Sequence, residues 1–231
     1  MAKKAAKAKA RTASRAKKTT KSATTRRKTA TRTKTTARSK AATRRKTATR
    51  AKTAVRRAAA PKVSAAVRHA AQEVKTSLAV AEMPEDAIAL LQQDHRAVEA
   101  LFEEFENTQK KADKAALAAK ICLELRVHTQ IEEELLYPPA HRKLEHDLVD
   151  EAIVEHASAK DLIRQIEAMD PAEHLYDAKV KVLSEYIKHH VKEEETEMFP
   201  KLRGRGLNLH ALAEQLFKRK AELIRGYAKA G

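Results

Sequence analysis

Ile88, Leu91, His95, Val98, Phe102 and Phe105 succeed one another at intervals of three, four, three, four and three residues. Only a helix gathers residues so spaced onto one face, and an apolar face of that kind must be buried against another helix. The beat recurs in Ile121, Leu125, His128, Glu132 and Leu135, then in Val149, Ile153, His156, Lys160 and Ile163, and again in Leu183, Ile187, His190, Glu194 and Met198. Pro138, Pro139 and Pro200 are expected to stop the second and fourth helices, since proline cannot donate to the preceding turn. The fourth is expected to open with Asp170 as N-cap, Pro171 at the first helical position and Glu173 completing a capping box. Four long helices with short connections and no strand pattern predict an all-α fold, an up-down-up-down antiparallel four-helix bundle over residues 85–203. Gly204 and Gly206 precede a last amphipathic helix within 204–231, expected to cap the bundle through Leu209, Leu212, Leu216 and Leu223.

Every one of the four stripes carries a histidine: His95, His128, His156 and His190. Glu132 and Glu194 follow His128 and His190 by four residues, one turn along the same face. The two copies extend to a phrase, HTQIEEELLYP at 128–138 and HVKEEETEMFP at 190–200, with an aromatic nine residues after the histidine and proline ten after it. A buried unpaired carboxylate costs several kcal/mol. Four imidazoles and two carboxylates converging in one interior therefore imply a compensating cation, and helix bundles house two-metal carboxylate and histidine sites. One turn beyond His95 and His156 stand Glu99, a further ligand candidate, and Lys160, a supporting candidate expected to pair with Glu99. Glu133 and Glu193 are candidates for a hydrogen bond to a ligand. The helical rotation assigns His189, Glu134, Glu195 and Glu197 to a solvated face, and His141 and His146 to a surface turn. Tyr137 and Phe199 are expected to wedge the ends of their helices, and Cys122 to be a small core residue. No nucleophile triad or phosphate-binding loop is present.

DHRAVEALF at 94–102, HTQIEEELLYP, EHASAKDLI at 155–163 and HVKEEETEMFP resemble, in order, the motifs of the hemerythrin-like HHE cation-binding domain, over about 85–203. The resemblance implies two iron ions in a non-haem, oxo- or hydroxo-bridged di-iron centre. His95 and His128 would serve one iron and His156 and His190 the other, with Glu132 and Glu194 bridging. Mixed imidazole and carboxylate donors suit iron, and are compatible with zinc or manganese. The chain departs from the oxygen carriers of that family in two places: Lys160 stands where they have a further histidine, and Glu195 where they have an aspartate. Oxygen transport is thus not implied. A small diatomic or peroxide ligand, or iron itself, is the expected partner.

Ahead of the bundle the chain changes character. Residues 1–70 hold 25 Lys and Arg and no acid, leaving 23 basic against 31 acidic residues in the rest, a net of −8. Residues 1–60 contain no Leu, Ile or Phe, so nothing offsets the entropy of ordering them, and the octamer TRRKTATR occurs at both 25–32 and 43–50. This predicts a disordered Lys/Arg/Ala/Thr-rich tail, similar in composition to those of linker histones and bacterial histone-like proteins. Such a tail binds duplex DNA by counterion release, without sequence preference. Arg26, Arg27, Lys28, Arg32, Arg44, Arg45, Lys46 and Arg50 of the repeats are the candidate nucleic-acid contacts. Residues 61–84 are expected to be a linker, partly helical through Val63, Val67, Ala70, Val74 and Leu78. A lone cysteine and the absence of any long apolar run point to a cytoplasmic, nucleoid-associated protein with no membrane partner. The leading functional expectation is a di-iron protein tethered to DNA that senses or handles iron, O₂, peroxide or NO. A catalase-like or oxidase enzyme with an incidental tail is the alternative, and a histone-like packaging protein a third. Oligomeric state is left open.

Overall fold

The computed structural model describes residues 63–144 and 146–230, the side chain of His146 excepted. The expected tail and its eight candidate DNA contacts lie outside the described residues. Within them the elements are α1 (Ala65–Val80), α2 (Ala87–Asn107), α3 (Lys111–Ile131), α4 (Tyr137–His141), α5 (His146–Ala168), α6 (Tyr176–Glu193), α7 (Phe199–Arg203) and α8 (Leu209–Lys229). No strand occurs among the described residues, and none of their helices is long and apolar enough to cross a membrane.

Helices α2, α3, α5 and α6 form the up-down-up-down bundle. Each packs on the next, and α6 returns to α2 to close the ring. Two apolar layers fill it. One contains Ile88, Leu91, Ile131, Leu136, Val149, Met198 and Phe199; the other contains Val98, Phe102, Ile121, Leu125, Ile163, Leu183 and Ile187. The four stripe histidines fall between these layers, because each lies between an upper and a lower residue on its own helix. Burying each large aliphatic side chain contributes about 1.5–3 kcal/mol, so the apolar layers carry the stability that the polar layer between them lacks.

Four expectations need correction. The 61–84 segment is not a linker over most of its length. Ser64 Oγ caps α1 by accepting from Val67 N–H at 3.2 Å, and Val67, Ala70, Ala71 and Val74 are buried against Ala119, Leu123 and Val127 of α3 and Ile224 of α8. The chain accommodates this because α3 is apolar on two faces, one toward the bundle and one toward α1. Helix α8 packs along α1, α2 and α3 rather than sitting only at an end. On α5 the inner seam is Val149, Ala152, His156, Ala159 and Ile163; Ile153 is 43% exposed and Lys160 points outward. Finally, α6 begins at Tyr176 and not at Asp170. Half of the capping box forms, Asp170 N–H donating to Glu173 Oε1, while Asp170 Oδ1 accepts from Ala172 N–H instead of Glu173 N–H, both at 2.8 Å, and these bonds close a turn ahead of the helix.

The prolines do not end their helices at once. Glu132–Leu136 and Glu194–Met198 each form a π-helical turn, in which Tyr137 N–H and Phe199 N–H donate to Glu132 O and Glu194 O. The helices then continue as α4 and α7, with the prolines in the first turn, where a missing N–H costs least. A π turn inserts an extra residue into the winding and is frequent at functional sites. Here it also moves the inward position from Leu135, which is partly buried, to Leu136, which is fully buried.

Candidate metal centre

His95, His128, His156 and His190 are all buried, as are Glu132 and Glu194. The imidazoles meet in two pairs: His95 and His128 Nε2 are 3.2 Å apart, and His156 and His190 Nε2 are 3.0 Å apart. Glu132 Oε2 lies 3.2 Å from His128 Nε2 and 3.4 Å from His156 Nε2. Glu194 Oε2 lies 3.4 Å from His95 Nε2 and 3.6 Å from His190 Nε2. Each carboxylate thus faces one histidine of each pair. The donor atoms of His95, His128, Glu132 and Glu194 lie within 4.8 Å of one another, and so do those of Glu132, His156 and His190.

The outer nitrogens fix the inner ones. His95 Nδ1 is 2.8 Å from Glu195 Oε1, His156 Nδ1 is 3.1 Å from Glu133 Oε1, His190 Nδ1 is 2.9 Å from Glu155 Oε2, and His128 Nδ1 is 3.5 Å from Asp94 Oδ2. An ionised carboxylate only accepts, so the rings of His95, His156 and His190 carry their proton at Nδ1 and, when neutral, present a bare Nε2 lone pair to the interior, while His128 Nδ1 faces Asp94 without a formed hydrogen bond. The pattern repeats between the two halves of the bundle. The acid just before the histidine on α2 or α5 serves the histidine of the following long helix. The acid just after Glu132 or Glu194 serves the histidine of α5 or α2.

These residues fit a cation. Both oxygens of Glu132 and Oε2 of Glu194 are buried with no hydrogen-bond partner. Four inward lone pairs and these oxygens would repel one another with nothing positive between them. Burial and the neighbouring Glu194 charge push the Glu132 carboxyl well above the usual carboxylate range. Burial acts the same way on Glu194, but the charges of His190 and His95 outweigh it and hold that carboxyl low. Burial depresses His128 to about 4 despite Asp94. Imidazole held by a carboxylate at its outer nitrogen is the usual support of a metal ligand.

Several residues sit elsewhere than expected. Glu99 pairs with Arg96 at 3.1 Å on the surface and is not part of the cluster. Lys160 reaches no ligand directly; its Nζ is 2.5 Å from Glu133, which in turn holds His156, and these contacts keep Glu133 at about 2. Glu193 does not touch a buried ligand and pairs with the exposed His189 at 3.1 Å, near Glu155. Glu195, expected in solvent, bonds to His95, and Asp94 and Glu155 were not anticipated in this role. Their signal was the position one residue from a ligand, which a single-helix projection places off the inner face. Tyr137 does more than wedge a helix end. Its hydroxyl donates to Glu194 Oε1 at 3.0 Å and lies 3.1 Å from His156 Nε2. Phe199 stacks on His95, with ring centroids 5.9 Å apart and planes within 6°. Cys122 is buried in the core as expected, its thiol pushed up to about 12 by burial.

Comparisons with known proteins place this arrangement. The family model described as Hemerythrin HHE cation binding domain matches residues 86–202. A solved hemerythrin HHE cation binding domain-containing protein from Mycobacterium kansasii superposes with a TM-score of 0.55 at 21% identity, covering 61% of this chain and 88% of that one. Among curated proteins, one named DNA nickase from Nostoc sp. is 27% identical over 115 residues, half of this chain. The chain spans about a third of that relative's length. The matched span contains every histidine and glutamate of the buried layer: the chain belongs to the hemerythrin HHE cation-binding family.

Proposed function

We propose that the protein is a hemerythrin-like, non-haem di-iron protein tethered to duplex DNA by its basic N-terminal segment, where it senses or handles iron, O₂, peroxide or NO. The observation that carries the reading is the set of four imidazoles, each with a carboxylate at its outer nitrogen, whose Nε2 atoms face two glutamates with orphaned oxygens. His95 and His128 would hold one iron, His156 and His190 the other, and Glu132 and Glu194 would span both. Bound iron supplies redox and Lewis-acid chemistry toward a small ligand. The chain's own part is to fix the rings through Asp94, Glu133, Glu155 and Glu195 and to exclude bulk water with the apolar layers on either side. Lys160 in place of a further imidazole leaves a ligand set of two histidines per metal. The DNA half of the reading rests on the repeated TRRKTATR segment and its counterion-release physics. The name of the nickase relative is compatible with it.

Tyr137 favours the enzyme as a second reading. A buried phenol bonded to Glu194 beside His156 is placed to hold a proton next to both ligand groups. The deciding experiment is metal analysis and an optical spectrum of the full chain purified from its own host, followed by peroxide addition. Two irons per chain with a near-ultraviolet band support the di-iron reading, and zinc with a featureless spectrum defeats it. Sustained peroxide turnover would select the enzyme over the sensor.

A further inference from the structure

We infer that Lys220, on the helix that follows the matched family span, is a positioning residue of the metal centre: it holds Asp94 against the outer nitrogen of His128. The inference rests on the di-iron reading of the buried layer. Lys220 is among the few buried charged residues, 8% exposed. Its Nζ lies 2.5 Å from Asp94 Oδ1 and 3.6 Å from Glu124 Oε2. The other oxygen of Asp94 faces His128 Nδ1 at 3.5 Å, and neither of these two buried atoms has a hydrogen-bond partner.

The comparison with the other three outer carboxylates gives this arrangement its meaning. Glu195 is paired by Arg96 and Glu133 by Lys160, while Glu155 faces the imidazole of His189, and those three partners are 56%, 34% and 63% exposed. They belong to the four bundle helices, and water can replace them. Among the described residues, the Asp94 pair alone is completed by a buried cation, and that cation comes from α8. Helix α8 does not need the lysine as an anchor, because Leu212, Ala213, Leu216 and Ile224 already bury its inner face. A buried ammonium costs several kcal/mol unless paired, so an apolar residue would anchor the helix more simply. What Lys220 adds is a fixed positive charge that orients the Asp94 carboxylate and limits how strongly it attracts the Nδ1 proton. The donor strength of His128 toward a metal depends on how closely that carboxylate stands against its outer nitrogen.

The test uses the full chain loaded with ferrous iron, and reads iron release to a ferrous chelator, the optical spectrum after oxidation and the melting temperature of the metal-free form. Lys220→Met is expected to speed release of iron by about 10- to 100-fold, the usual effect of removing such a support, and to shift the spectrum. Lys220→Arg is expected to restore release to near the wild-type rate. Asp94→Asn leaves the lysine its Glu124 partner and is expected to reproduce the Lys220→Met effect, which keeps the question answerable should the methionine variant not fold. Release within twofold of wild type together with an unchanged spectrum in Asp94→Asn, or a lowered metal-free melting temperature as the sole effect of Lys220→Met, overturns the inference. A wild-type chain that takes up no iron overturns the di-iron reading along with it.

Discussion

The histidine rings of the buried layer are each caught between two demands, a carboxylate outside and a carboxylate inside. Outside stands an acceptor for the ring proton; inside, a neutral ring has no proton to offer Glu132 or Glu194. Removing one imidazole from each pair should therefore be felt in metal content before stability. His128→Ala with His190→Ala is expected to lower bound iron from two per chain to near zero, measured by metal analysis; retention of two irons would mean the ligands are misassigned. Tyr137→Phe keeps the ring and loses only the donor to Glu194 Oε1. It is expected to retain both irons and to cost about 1–2 kcal/mol in urea unfolding. Any peroxide turnover of the wild type should fall sharply, and unchanged turnover would remove the phenol from the enzyme reading.

Elements show where local reasoning succeeds and where it stops. The seats of the six inner residues were legible because a three-four spacing fixes a helical face regardless of neighbours. The outer carboxylates were not, because Asp94 serves His128 and Glu155 serves His190 on other helices, a matter of how two helices register. The π turns were hidden for a similar reason: Pro138 and Pro200 read as stops, yet a shifted hydrogen bond one residue earlier lets the chain continue. Helix α1 was underrated because its stripe is made of Val and Ala, and its partner is the second apolar face of α3. Leu123, fully buried there, is expected to cost about 2–5 kcal/mol when changed to Ala. Because that face points away from His128, iron content should stay at two per chain, and loss of iron would show the two faces to be coupled. At the start of α2, Asp86 Oδ1 accepts from Ala89 N–H at 2.8 Å and its Oδ2 from Arg203 at 2.6 Å. Burial works to raise this carboxyl, but the bonds from Ala89 and Arg203 outweigh it and leave it below the ordinary value of 3.8. A lowered carboxyl stabilises the fold above that ordinary value, and the contribution is lost as pH falls through the lower folded one. Asp86→Ala should thus cost about 0.5–2 kcal/mol at pH 7, and the difference from wild type should shrink in unfolding curves taken below about pH 4.

At the scale of the whole molecule, a sequence that is basic in one part and acidic in the other joins two kinds of chemistry. The acidic part supplies the buried ligand layer, and the repeats of the basic part are suited to a polyanion. Deleting residues 1–60 is expected to abolish duplex DNA binding at moderate salt while leaving iron content unchanged; undiminished binding in a salt titration would reject the tether. The polar layer of the bundle is tolerable only with a cation bound in it. The most direct test is thermal unfolding of the full chain before chelation, after chelation and after reloading with iron. Chelation is expected to lower the melting temperature clearly and reloading to restore it fully, since a ligand bound only to the native state stabilises it by mass action. Identical melting curves, with the same near-ultraviolet circular dichroism in the metal-free and iron-loaded chain, would contradict it.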